Sequence, residues 1–173
     1  RPKGAMVEHT GLWNHLLSKA EALQLGPTDR IALFIGRITA KKRIEDIIRA
    51  ISGLGAHLFI AGNPDAETGY TALLKGEASA AGCATRVHWL GFMDEAAKAA
   101  AYAAADCFVH ASESEGMALA ILEAMSAGLP VVATQGCYMA EAARAGALVE
   151  CAAGPAALTE ALRPLLMDLD LAQ

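Results

Sequence analysis

Residues 31–37 read Ile31-Ala32-Leu33-Phe34-Ile35-Gly36-Arg37, and residues 130–136 read Pro130-Val131-Val132-Ala133-Thr134-Gln135-Gly136. Both runs are apolar at successive positions rather than at alternate ones, the pattern of a strand covered on both faces. Each is of strand length, and each is followed by residues at helical spacing. A strand buried on both faces needs helices on two sides, so these runs predict a parallel sheet between helix layers.

The same alternation recurs along the chain. The spacing predicts strands over 31–36, 57–61, 87–90, 107–110, 130–133 and 147–149. Helices are expected over 44–51, 70–81, 95–104, 118–127 and 138–145. A last helix is expected over 155–166, with Pro155 at its first position. Strand–helix alternation of this kind predicts an α/β domain, a doubly wound parallel sheet of about six strands, Rossmann-like. Upstream, Leu12, Trp13, Leu16, Leu17, Ala20 and Leu23 recur at helical spacing until Gly26-Pro27. Residues 1–28 are therefore expected to be a helical or linker segment, with the sheet domain over 29–173.

The chain has 173 residues, 54% of them hydrophobic and 19% charged, a composition that supports a large core. Fourteen basic against nineteen acidic residues give a net charge of −5, and the longest basic run is Lys41-Lys42-Arg43. That balance argues against nucleic-acid binding, which needs many cations on one face. No uncharged apolar stretch reaches the roughly 20 residues that span a bilayer. The first residues, Arg1-Pro2-Lys3-Gly4, lack an apolar signal region and an initiator Met. The expectation is a cytoplasmic and truncated protein.

Four cysteines, Cys83, Cys107, Cys137 and Cys151, show no Cys-x-x-Cys pair and are read as structural thiols. The histidines His9, His15, His57, His88 and His110 form no zinc-ligand spacing and no Ser-His-Asp array, and packing roles are expected for them. Gly-x-Gly-x-x-Gly, the P-loop and Gly-x-Ser-x-Gly are all absent, which removes the phosphate loops of dinucleotide oxidoreductases and P-loop NTPases and the elbow of serine hydrolases.

In a doubly wound sheet, ligands bind beyond the carboxyl ends of the strands. The first such segment, Gly36-Arg37-Ile38-Thr39-Ala40-Lys41-Lys42-Arg43, reads either as a solvated basic loop or as a phosphate clamp. In the clamp reading, Arg37 supplies a bidentate guanidinium and Lys42 a mobile point charge. The second segment runs from Ser112 to Pro130 and holds Glu115 and Glu123, eight apart. Its helix is apolar on nearly every side and is expected to be buried. Glu123 is its one carboxylate, expected to face the cleft and take the vicinal hydroxyls of a ribose. Gly116, Met117, Ala118 and Leu119 open that helix, where free amides and the dipole favour phosphate or sugar. Glu115 is either a ligand for hydroxyls or an acid favoured by the dipole, and Glu141 is either a rim residue or a surface acid.

At these residues the chain resembles the C-terminal, nucleotide-sugar-binding half of GT-B glycosyltransferases, in particular the large retaining family four, the group 1 glycosyl transferases. Gly36-Arg37 followed by Lys42 is similar to the pair that contacts the donor diphosphate. Glu115-Gly116-Met117-Ala118-Leu119 through Glu123 resembles the family's Glu-x7-Glu signature, followed by Gly128-Leu129-Pro130-Val131-Val132. Ile60-Ala61-Gly62-Asn63 and Val87-His88-Trp89-Leu90-Gly91-Phe92 resemble the strands that flank the base. Met117-Ala118 stands where Phe-Gly or a similar pair is usual, and Arg43 replaces a common Gly.

The resemblance implies a donor-binding domain of a retaining glycosyltransferase that moves a hexose-type sugar from a UDP-, GDP- or ADP-sugar, in cell-envelope polysaccharide or glycolipid synthesis. It implies that Glu115 meets the donor sugar, that the amides of Gly116 to Leu119 meet sugar and phosphate, and that Glu123 takes the ribose. Gly36, Gly62, Val87 and Leu90 complete the donor pocket, while Arg37 and Lys42 join Glu115 as catalytic residues by stabilising the leaving diphosphate. No cofactor and no metal are expected. The acceptor half is the expected partner, with any peripheral membrane contact made through it, and the domain alone is expected not to transfer sugar. The alternatives are a non-catalytic nucleotide-sugar-binding module, and half of a GT-B-like epimerase or phosphorylase.

Overall fold

The structure, a computed structural model, describes residues 25, 26 and 28–167. The helix expected before Gly26, and the last six residues of the expected sheet domain, lie outside the described residues. The described chain alternates six strands with six helices. The strands are β1 (Ile31–Ile35), β2 (His57–Ala61), β3 (Val87–Gly91), β4 (Cys107–His110), β5 (Val131–Thr134) and β6 (Val149–Cys151). The helices are α1 (Ile44–Ser52), α2 (Tyr70–Ala80), α3 (Glu95–Ala104), α4 (Leu119–Ser126), α5 (Ala140–Arg144) and α6 (Pro155–Met167).

All five strand pairings are parallel, and the order is β3-β2-β1-β4-β5-β6, the doubly wound arrangement. The apolar runs behave as their composition requires. In β1, Ala32 and Phe34 join a core with α1, α2 and α6, while Leu33 and Ile35 join a second core with α3 and α4. Leu58 and Ile60 against Phe59 and Ala61 repeat this in β2, as does Val132 against Val131 and Ala133 in β5. A strand with a polar face would lack one of these two layers. Three of the cysteines, Cys83, Cys107 and Cys137, are buried, and Cys151 is half-buried; all four are free thiols.

Boundaries shift where local turns intervene. A 3-10 turn over Gln135–Cys137 and Tyr138 at φ 54° delay α5 to Ala140, two residues later than the spacing predicts. The sixth strand likewise falls at Val149–Cys151 rather than over 147–149. The expectation for α4 is corrected more substantially. Ile121 and Ala124 are buried, but Leu119 and Leu122 are 60% and 42% exposed, so the helix packs on one side only. Its apolar circumference is therefore no guide to its burial.

Candidate functional site

The strand order reverses between β1 and β4, so the chain leaves their carboxyl ends in opposite directions and opens a crevice between the two loops. Backbone-to-backbone contact with the end of β2 fixes where the β1 loop leaves the sheet. The Gly36 N–H donates to Ala61 O at 3.0 Å, and a Cβ on Gly62 would sit 2.0 Å from Gly36 O. The first loop then makes a 3-10 turn over Ala40–Lys42 and is tied to its neighbours. The Ala40 N–H donates to Glu67 Oε2 at 2.8 Å, and the Glu113 N–H and Ser112 Oγ donate to Lys41 O at 3.0 and 3.2 Å. Arg43 closes the turn at φ 50°, the left-handed region that favours glycine, and its guanidinium reaches Asp46 at 3.0 Å and Glu45 and Glu113 at 3.5 Å. Charge pairing thus holds an arginine where a flexible residue would be easiest to place.

The second loop carries Glu115, and it is pinned from behind. The Glu115 N–H donates to Gly136 O at 3.0 Å, Thr134 Oγ1 donates to Ser112 O at 3.0 Å, and a Cβ on Gly136 would lie 2.3 Å from Ser112 O. So held, Glu115 meets the side chains of Lys42, His110 and Ser112. The Lys42 ammonium bonds its Oε1, and His110 Nε2 lies 3.2 Å from the same oxygen. Both side chains of the ion pair are nearly buried, at 12% and 11% exposure. His110 and then Lys42 hold the Glu115 carboxyl well below the usual carboxylate range, against its own desolvation. Glu115 is therefore an anion that accepts hydrogen bonds, and it has no proton to give as an acid.

Beyond Glu115 the chain is open. The amides of Gly116, Met117 and Ala118 donate to no atom among the described residues, and a Cβ on Gly116 would meet nothing within 4 Å. Leu119 differs from the expectation, because its N–H donates to Met117 O at 3.1 Å. Glu123 differs too. Although it is the one carboxylate of α4, it is already paired: Lys98 Nζ lies 3.1 and 3.2 Å from its two oxygens, and Tyr102 donates its hydroxyl to Oε2 at 2.9 Å. Lys98 also pairs with Glu95 at 2.8 Å. One acceptor direction on Oε1 is left for a ligand, and a bidentate diol needs Lys98 to retire toward Glu95.

The expected clamp divides in the structure. Lys42 is engaged by Glu115, while Arg37 is exposed and its guanidinium has no hydrogen bond or ion pair among the described residues. Val87 is a correction: it pairs with Leu58 at the amino end of β3 and is buried in the core, so it cannot border a pocket at the carboxyl ends. A strand rises about 3.3 Å per residue, which puts Val87 roughly 13 Å from Gly91. Leu90 packs into the second core near that edge, and Phe92 just beyond is 84% exposed. Glu141 is an exposed residue of α5.

Sequence reasoning missed His110, Gly136, Arg43, Lys98 and Tyr102. His110 was detectable as the last residue of a strand ending at the switch point. Lys98 and Tyr102 are four apart and so share a helix face, but nothing local aims that face at Glu123. Among the described residues, no group of three or more His, Cys, Asp or Glu is placed to hold a metal ion, and no helix is long and apolar enough to cross a membrane.

A doubly wound sheet with a cationic loop after β1 and a Glu-x7-Glu helix start after β4 defines one Rossmann-like half of the GT-B architecture. The chain belongs to the group 1 glycosyl transferases, whose family model matches residues 18–173. It is 32% identical over 124 residues to an uncharacterized glycosyltransferase of Methanocaldococcus jannaschii, covering 69% of this chain and 31% of that protein. The fold is similar to WaaG, a glycosyltransferase involved in lipopolysaccharide biosynthesis, with TM-score 0.74, 23% identity and coverage of 90% of this chain and 43% of that one. It is likewise similar to Anabaena HepE in complex with UDP and glucose, with TM-score 0.77, 22% identity and coverage of 91% and 43%. The chain spans about a third of the length of its archaeal relative.

Proposed function

We propose that this chain is the donor-binding half of a retaining glycosyltransferase that transfers a hexose-type sugar from a nucleoside diphosphate sugar. The observation that carries the reading is the crevice itself. An ionised Glu115 is braced by Lys42 and His110, an unpaired Arg37 guanidinium belongs to the loop after β1, and three unpaired amides precede α4, all beyond the carboxyl ends of β1 and β4. Glu115 accepts from sugar hydroxyls, the amides and Arg37 take the diphosphate, and Glu123 takes the ribose. As the bond to the sugar breaks, negative charge grows on the diphosphate, and Arg37, Lys42 and the helix start stabilise it. Cations and amides already present do this work, so the reading needs no metal and no cofactor. The acceptor half of the enzyme supplies the opposite wall of the cleft. The likeness to a lipopolysaccharide glycosyltransferase supports a place in cell-envelope polysaccharide or glycolipid synthesis, at the cytoplasmic face of the membrane.

Calorimetric titration of the intact enzyme with UDP, GDP and ADP, then with their sugar conjugates, in the presence of a chelator, tests this. Selective binding of one diphosphate supports the reading and identifies the carrier. Glu123→Gln should weaken that binding by about 1–3 kcal/mol, the scale of a charged hydrogen bond. No binding of any diphosphate, or unchanged affinity in the variant, would overturn the donor site or the ribose role respectively.

A further inference from the structure

We infer that His110 is a positioning residue for the donor sugar: its Nε2–H holds Glu115 by one oxygen so that the other is presented to a sugar hydroxyl. The inference rests on the proposed role of Glu115 and adds to it a group outside the family's Glu-x7-Glu pattern.

The geometry leaves little freedom. His110 ends β4 at the switch point and is 2% exposed. Its ring is stacked on Phe34, with centroids 5.3 Å apart and planes at 14°, and on Phe108, at 6.1 Å and 13°. These contacts set the plane of the imidazole, and the bond at 3.2 Å sets the direction of its edge. An ionised carboxylate can only accept, so the proton of that bond sits on His110 Nε2. Nδ1 is buried with no partner, which agrees with a bare nitrogen there, since an N–H in that place would be a buried donor without an acceptor. Burial also keeps the ring neutral.

The consequence lies on Glu115. Lys42 and His110 both meet Oε1, and neither meets Oε2. A lysine on a flexible stem attracts a carboxylate without orienting it. An imidazole locked in plane orients it, and so selects which oxygen is left for the ligand. Removing the imidazole N–H should therefore cost recognition of the sugar while sparing recognition of the nucleoside diphosphate.

The test pairs spectroscopy with ligand discrimination in the intact enzyme. Nitrogen-15 NMR of histidine should show His110 with a protonated Nε2 and a bare Nδ1, and the Nε2 signal should move in Glu115→Gln. A protonated Nδ1, or a signal indifferent to Glu115→Gln, overturns the inference without any ligand. For the ligand arm, His110→Phe keeps an aromatic ring and loses the donor, while His110→Gln keeps an N–H and loses the ring. UDP-glucose should bind roughly tenfold more weakly to His110→Phe, with UDP affinity unchanged, and His110→Gln should recover most of the loss. If packing alone mattered, Gln would be worse than Phe and both ligands would suffer together. If Glu115→Gln leaves UDP-glucose affinity intact, the proposed role of Glu115 fails. If Glu115→Gln loses that affinity and His110→Phe does not, this inference alone fails.

Discussion

The two ends of the sheet carry similar residues to different effect. At the amino edge, His57 Nδ1 and His88 Nε2 lie 2.8 Å apart, their rings stacked at 12°, and Arg30 pairs with Asp106 at 2.8 Å while Asp106 also accepts from the Ile31 N–H at 2.9 Å. Every one of those polar groups ends on another part of the same chain, and together they tie β1 to β4 and β2 to β3. At the carboxyl edge, His110, Glu115 and Lys42 are as tightly paired, yet Arg37 and the amides of Gly116, Met117 and Ala118 beside them face no protein partner among the described residues. Closed pairing is architecture. Pairing that braces one carboxylate among unpaired donors leaves those donors open to a ligand, and the proposed function gives them to the diphosphate.

The largest effect should come from the packing behind the loop that bears Glu115. Gly136→Ala places a Cβ 2.3 Å from Ser112 O and 2.5 Å from Glu113 O, so the loop bearing Glu115 must move away. Denaturant unfolding should show a loss of about 3 kcal/mol or more, and titration a parallel loss of sugar-nucleotide affinity. A stable variant that still binds would show the loop to be looser than its hydrogen bonds imply.

Arg37→Ala comes next and should separate the two edges. It should weaken nucleoside diphosphate binding by roughly 10- to 100-fold, the scale of a charge-assisted bond, without lowering the melting temperature. Asp106→Asn should do the reverse, lowering stability by about 1–2 kcal/mol and leaving nucleotide affinity alone. Equal effects on both properties in either variant would erase the distinction between the edges.

Acid should act on the amino edge. Burial lowers His88 to about 4 from an ordinary 6.5, with His57 adding to the shift, and burial lowers His57 as well. A histidine whose folded value is depressed contributes stability that is complete above about 6.5 and is lost as the pH falls toward 4. Unfolding free energies from denaturant titrations between pH 7 and 4 should therefore fall by about 2–3 kcal/mol, and the fall should shrink in His88→Phe. An unchanged slope would place the titration elsewhere. Smallest of all, Gly53→Ala, in the amino-edge turn after α1, has φ −84° and nothing within 4 Å of the new Cβ, so it should shift stability by no more than about 0.5 kcal/mol.

Much of this was legible in the chain itself. The elements β2, α3 and β4 fall at the residues where the spacing places them, because their apolar period and flanking turns agree with the tertiary packing. The switch-point loops were legible for the same reason, since they follow from strand order alone. Glu115 and Lys42 stood out as charged residues at strand ends, but their mutual contact spans 73 residues and no local pattern encodes it. Val87 was misplaced because a motif marks a strand without saying which of its ends faces the ligand.

That the sheet is parallel and covered on both faces follows from local composition, since runs such as Ala32 to Ile35 and Val131 to Ala133 have no polar face to give to water. The same runs mark which loops gather the chemistry. Which charges are already spent is visible in the folded chain alone. Lys42 and Lys98 are matched to Glu115 and Glu123, Arg37 is left over, and His110 is turned from a core histidine into the group that aims a carboxylate. Distance makes the difference: hydrophobic period is a property of neighbours in the chain, whereas a hydrogen bond is made between whichever groups the fold brings within about 3 Å.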